Sequence, residues 1–122
     1  MQLRNQNDVL ELLIRLVNDN HEIQGCVAVQ TDSVTIYASA LPANLSQQRV
    51  AAMATTALSL GEKLARDVNI LHPAEIVIQQ GGGYIIVIPV DEHTVLLTLT
   101  NPGAHLGFVR HDLLNTARAM LA

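Results

Sequence analysis

The residues that could do chemistry are few and scattered. Gly81, Gly82 and Gly83 form the one glycine cluster. A phosphate-cradling loop needs a Lys and a Ser or Thr after its glycines, and a helix whose N-terminus faces the phosphate. Here the apolar run YIIVIPV follows, so the cluster reads as a hairpin turn. His21, His72, His93, His105 and His111 fall in turns or near expected helix ends. None has the i, i+4 partner of a helical zinc motif, and they read as solvated histidines. Cys26 is the only cysteine, which excludes an internal disulfide and a cysteine-based zinc site. In an apolar strand it reads as a small buried hydrophobe. Ser39, Ser46 and Ser59 lack the flanking glycines of a nucleophile elbow. Asp32, Asp91 and Glu92 are turn residues, and no pair of carboxylates marks a cleft. Arg49, Arg66 and Arg110 could each reach a phosphoryl-transfer site on another protein. Each reads instead as a solvated charge or a local ion pair. No catalytic residue, metal or cofactor is expected, and the chain reads as a non-enzyme.

What remains is a surface. Val50 to Leu60 reads VAAMATTALSL, inside a helix expected from Leu45 to Val68. No charge lies between Arg49 and Glu62. An ordinary surface helix shows a polar, usually charged face at each turn opposite its apolar stripe. On a wheel of about 100° per residue, Val50, Met53, Ala54, Ala57, Leu64 and Val68 form a broad apolar side. Leu58, Leu60, Gly61 and Ala65 widen it. Opposite lie Ala52, Thr55, Thr56 and Ser59, small enough for another backbone to come close. The expectation is that one side, with Leu64, covers the chain's own sheet and the other is covered by a second copy. The expected pairing surface comprises Ala51, Ala52, Ala54, Thr55, Thr56 and Ser59, with Ile76, Val77 and Ile78 of the strand that follows.

The elements that position this helix are legible in order. The chain has 122 residues, which suggests a single domain over residues 1–122 with a core of its own. Only Tyr37, Tyr84 and Phe108 are aromatic, so that core is aliphatic. Lys plus Arg total 7 against 11 Asp plus Glu, giving a net charge of −4. With no basic run, nucleic acid and anionic membrane are poor partners. No signal peptide is evident and no apolar run approaches a membrane span, so a cytoplasmic location is expected.

Asn5 to Asn20 reads as an amphipathic helix with Val9, Leu13, Leu16 and Val17 on one face, capped by Asn5 or Asn7. Gly25 to Gln30 and Val34 to Ala40 read as a hairpin joined by Thr31, Asp32 and Ser33. In the second strand, Val34, Ile36 and Ala38 alternate with a wetter face of Thr35, Tyr37 and Ser39. Pro42 stops the strand, and Asn44 with Gln47 resembles a capping box for the long helix. His72 and Pro73 close that helix. Three strands follow, Glu75 to Gln80, Tyr84 to Val90 and Thr94 to Thr100, joined by turns too short for anything but antiparallel pairing. Pro89 marks a bulge or an unpaired strand end. Leu106 to Leu121 reads as a last helix. The order α-β-β-α-β-β-β-α predicts an α+β fold. Its five-stranded antiparallel sheet carries the long helix on one face and the terminal helices on the other. Glu75 to Gln80 is expected at a sheet edge, open to the same strand of a second chain.

With these residues in this order, the sequence resembles the Roadblock/dynein light chain domain family in its bacterial and archaeal form. The resemblance rests on GCVAVQTDSVTIYAS, AAMATTALSLGEKLA, GYIIVIPVDEHTVLLTLT and NPGAHLG, from about Gly25 to Gly107. Ser33 stands where many relatives carry Gly in the hairpin turn. The resemblance implies a profilin-like fold and a homodimer in which the long helices pair and the strands after them meet in one continuous sheet. It also implies an adaptor or regulator of a small Ras-like GTPase; one bacterial branch activates a polarity GTPase. The alternative of a different class is a small-molecule-binding sensor or a structural scaffold of the same fold.

Overall fold

The structure is a computed structural model and describes residues 1–70 and 75–122. His72 and Pro73, expected to close the long helix, lie outside the described residues. The elements are α1 (Gln6–Asp19), β1 (Ile23–Gln30), β2 (Thr35–Ala40), α2 (Gln47–Asp67), β3 (Ile76–Gln80), β4 (Gly83–Asp91), β5 (Thr94–Thr100) and α3 (Leu106–Ala119). All five strands pair antiparallel in the order β2-β1-β5-β4-β3. The expected α+β order and its two helical layers are therefore observed. Among the described residues no helix is long and apolar enough to cross a membrane.

Both sheet faces are apolar, and each builds a core. Beneath α1 and α3, Val9, Leu13, Cys26, Ile86, Ile88, Leu96 and Leu113 pack together. Beneath α2, Val27, Val29, Ala51, Ala54, Val87, Val95 and Leu97 do the same. The strand order explains the length of α2. It must carry the chain from β2, at one edge, to β3, at the other. Its 21 residues span about 31 Å, well beyond the roughly 19 Å separating the outer strands of a five-stranded sheet.

Local chemistry sets the element ends. The Asn5 side chain accepts the Asp8 N–H at 2.9 Å and starts α1. Ser46, not Asn44, caps α2, its hydroxyl accepting the Arg49 N–H at 3.3 Å. The expected capping box fails because Ser46 stands one residue before the helix, where its oxygen reaches the third helical N–H. At the other end Asn69 adopts φ +62° and the Ile70 N–H returns to the Ala65 carbonyl at 2.7 Å. That is a Schellman closure with Asn in the left-handed position. Gly81 and Gly82, both at positive φ, form a two-residue turn between Gln80 and Gly83, and Gly83 already belongs to β4.

The β1–β2 hairpin departs from expectation in two ways. Its connection is four residues, Thr31 to Val34, since Gln30 pairs with Thr35 and Val34 turns at φ +51°. The register also slips, with Ala28 opposite Ala38 but Val29 opposite Ile36. Tyr37 is the extra residue of a bulge, and a bulge moves the alternation to the other face. Ile36 therefore packs on the α2 side and Ala38 on the α1 side, where one shared face was expected. Pro89 also sits beside a bulge, between the Pro89–Val95 and Asp91–Thr94 pairs.

Candidate functional site

The residues with possible chemistry stay apart. Gly81 and Gly82 lead into β4, a strand, where a phosphate loop would lead into a helix. Cys26 is fully buried, its thiol 3.7 Å from the Leu13 carbonyl, and burial pushes its pKa up to about 12. A thiol so held is a core group, not a nucleophile. Among the described residues no three metal-ligating side chains come together. His93 lies in the β4–β5 turn, exposed. His111 lies within α3, its ring 3.3 Å from the Asn115 amide, rather than in a loop.

His105 is more than a solvated histidine. It stands at the N-terminus of α3, and the Glu22 carboxylate accepts its backbone N–H at 2.6 Å and contacts ring Nδ1 at 2.8 Å. The ring contact first, and then the backbone N–H, hold the Glu22 carboxyl below its usual range. The residue sits where α1 turns into β1, so it ties two elements to α3. Arg110 makes the local ion pair its position suggested, donating from Nε to Glu75 at 2.7 Å.

The long helix carries the unusual surface, but its faces are rotated from expectation. Ala51 and Ala54 are buried against the sheet with Leu58 half-buried beside them, and Ala65 is buried as well. Ala51 and Ala54, expected on the pairing surface, thus point into the chain's own core. Leu64, expected in the core, is 61% exposed, and Met53 and Leu60 are exposed with it. Val68, at the C-terminal end, is exposed as well. The side of α2 that packs on the sheet presents the small residues Ala51 and Ala54 beside Val50 and Leu58, while Leu64, Met53 and Leu60 face outward. Ala52, Thr56 and Ser59 are exposed as expected, and Thr55 is half-buried with its hydroxyl donating to the Ala51 carbonyl at 3.0 Å.

Val50, Met53, Ala57, Leu60 and Leu64 repeat at alternating steps of three and four residues. That is the spacing of a helix-pairing seam. The seam borders a groove of about 160 Å³ between α2 and the sheet, floored by Ile78, Ile85 and Leu99. A second, more polar cleft of about 440 Å³ lies at the end of the sheet, among Gln24, Gln80, Tyr84 and Thr100.

The two sheet edges differ. At β2 the Tyr37 bulge interrupts the ladder, and the Gln6 side-chain amide donates to the Tyr37 carbonyl at 3.2 Å. Both features blunt an edge. At β3, Ile76 to Gln80 pair with β4 without a bulge, and Val77 and Ile78 are 37% and 40% exposed. The expected edge position of this strand is observed. Its two neighbouring apolar residues lie on opposite faces: Ile78 lines the groove beside α2, and Val77 points to the α3 side.

A model of the Roadblock/LC7 domain matches residues 9–100. The chain belongs to the Roadblock/LC7 family. The matched region of this Roadblock/LC7 chain runs from α1 through β5 and includes both α2 and β3. The structure is similar to Myxococcus xanthus MglB, with a TM-score of 0.84 at 15% identity over 96% of this chain and 87% of that one. A Roadblock/LC7 domain from Streptomyces avermitilis gives 0.83 at 18% identity, covering 92% and 93%. Schizosaccharomyces pombe profilin gives 0.67 at 12% identity, covering 91% and 94%, so the fold is profilin-like. A comparison with curated protein sequences found no match.

Proposed function

We propose that this protein is a non-enzymatic homodimeric adaptor that binds a small Ras-like GTPase in the cytoplasm and modulates its nucleotide state or location. The observation that carries the reading is the solvent-exposed seam of α2, with Met53 62%, Leu60 66% and Leu64 61% exposed beside an open strand edge. Isolated exposed hydrophobics are ordinary, but a contiguous seam marks a docking face. The occupant is a second copy. A twofold axis would place α2 on α2 and β3 on β3 at once, so each face meets its own likeness. The helix contact runs along Val50, Met53, Ala57, Leu60 and Leu64 with Thr56 on its flank, while Ala52, Thr55 and Ser59 lie further round the helix and away from it. Ile76, Val77 and Ile78 supply the strand contact. The groove floored by Ile78, Ile85 and Leu99 is smaller than ligand pockets usually are. It is contiguous with the seam, which supports a socket for the second copy over a small-molecule sensor.

Regulation of a GTPase rests on family membership, whose members act as adaptors and GTPase regulators. Such a regulator can shift a nucleotide state only by binding the GTP and GDP forms differently. The test is titration of the purified dimer against the Ras-like GTPase encoded nearest to it, loaded with each nucleotide. The expected result is a difference in affinity, or an altered rate of hydrolysis or exchange. Equal affinity with unchanged rates reduces the protein to a tether, and no binding at all overturns the GTPase reading.

A further inference from the structure

Two exposed charges on α2 lie where they do their own helix no good. Arg49 is in the first turn and Asp67 is the last helical residue. A cation at a helix N-terminus and an anion at its C-terminus both oppose the macrodipole. Arg66 alone has the sign its end favours. Among the described residues neither Arg49 nor Asp67 makes a salt bridge within its own chain.

Their placement relative to the seam gives them a partner. From Arg49 to Asp67 is 18 residues, 67 minus 49, which is five full turns at about 3.6 residues each. They therefore lie on the same side of the helix, about 60° round from the seam and away from the buried face of Ala51 and Ala65. Ala57 is the middle of the seam, with Val50 and Leu64 each seven residues from it. It is also the seam's smallest residue, so two helices approach closest there. In an antiparallel pair about a twofold axis at Ala57, each position before it lies beside the matching position after it on the other helix. Arg49 is eight residues before Ala57 and Asp67 ten after it. The mismatch is two residues, or about 3 Å of rise, within reach of an arginine side chain. The same side of both helices then carries the pair, twice per dimer.

We infer that Arg49 pairs with Asp67 of the partner subunit, and that these two ion pairs fix the antiparallel register and favour pairing with the same chain. The inference rests on the α2 pairing proposed above and names the residues that select the partner. In a parallel pair Arg49 would be about 27 Å of helix rise from Asp67 of the partner subunit, so the ion pairs form only in the antiparallel orientation. Between them the flank holds Ala52, Thr56 and Lys63. Lys63 is as near in rise to Arg49 of the partner subunit as Asp67 is, but it lies about 100° round from the seam against about 60° for Asp67, on the outer side of the contact.

The test uses Arg49→Glu and Asp67→Arg in the full chain, with dimer dissociation followed by analytical ultracentrifugation. Each variant alone sets like charges at both contacts and is expected to raise the dissociation constant about tenfold, an effect that shrinks in high salt. An equimolar mixture of the two restores tight association, because the heterodimer has opposite charges at both contacts. Diluted to monomer, each variant should hold its helix as well as the parent or better, since each reversal now suits the macrodipole. Unchanged dimerisation of both variants, or a mixture no tighter than either alone, overturns the ion pairs while leaving α2 pairing standing. A parent chain that is monomeric at tens of micromolar, or a Leu60→Glu variant as dimeric as the parent, overturns the pairing itself.

Discussion

Ala51 is fully buried on the sheet-facing side of α2, whereas Leu64 on the same helix stands 61% exposed. The smaller residue packs in the core between helix and sheet and the larger one faces outward. This inversion makes two substitutions diagnostic. Leu64→Ala removes an exposed side chain, so the dissociated chain should lose no more than about 0.5 kcal/mol of stability. Dimer affinity should fall measurably. Leu60→Glu should leave the fold intact and favour the monomer, by placing an unpaired charge in the seam. Ala54→Arg should instead unfold the chain, since Ala54 is buried against the sheet. Denaturant melts beside light scattering separate these outcomes. A dissociated Leu64→Ala chain destabilised by several kcal/mol would return Leu64 to the core.

The order of elements, the antiparallel pairing and the edge position of β3 were legible because they follow from hydrophobic period and turn length. Runs such as TVLLTLT, bounded by short turns, have few alternatives. The inward face of α2 was not legible. A wheel weighted by hydrophobicity points toward Met53 and Leu64, but an alanine face pressed on a sheet buries the backbone and needs no bulk. Nor was the Tyr37 bulge, since strict alternation in TIYASA gives no sign of an inserted residue. The Glu22–His105 contact joins residues 83 apart, and only the folded chain brings them together.

Gly25 is required by contact, not by backbone angle. A Cβ built there would lie 2.7 Å from Pro42 Cδ and 3.0 Å from the Ala40 carbonyl oxygen. The β2–α2 crossover passes over β1 at this point, and two of the neighbouring atoms belong to backbone. Gly25→Ala should destabilise the chain by about 1–3 kcal/mol, as overpacking does. Urea denaturation with an unchanged m-value would show it. Stability equal to the parent would mean that the crossover moves aside freely.

The Glu22 carboxylate adds a pH dependence whose sign is fixed by its lowered pKa. A group with a folded pKa below its unfolded value contributes stability above the unfolded pKa, and loses it as pH falls through the folded one. Glu22 follows that pattern, held down by the His105 ring and backbone N–H. The Tm should therefore fall as pH drops below the ordinary glutamate range. Glu22→Gln should lower the Tm at neutral pH and flatten its acid dependence. Thermal melts from neutral to acid pH on both proteins test this; parallel curves would show that the contact contributes nothing.

The β3 edge makes the last prediction, and concentration is its control. Among the described residues of the isolated chain, the amides of Ile76 to Gln80 that face away from β4 have no ladder partner. In the proposed dimer, β3 of a second chain supplies one. Outward β3 amides should therefore exchange with solvent quickly in dilute protein and slowly at concentrations where the dimer forms. Amides of β1 and β5, paired on both sides within the chain, should keep one rate throughout. The β2 edge should show no such dependence, because its bulge and the Gln6 contact disfavour strand addition. Val77→Pro fixes φ and removes one N–H, and should weaken association for the same reason. Fast exchange along β3 in protein shown to be dimeric would mean that the two chains meet through α2 alone.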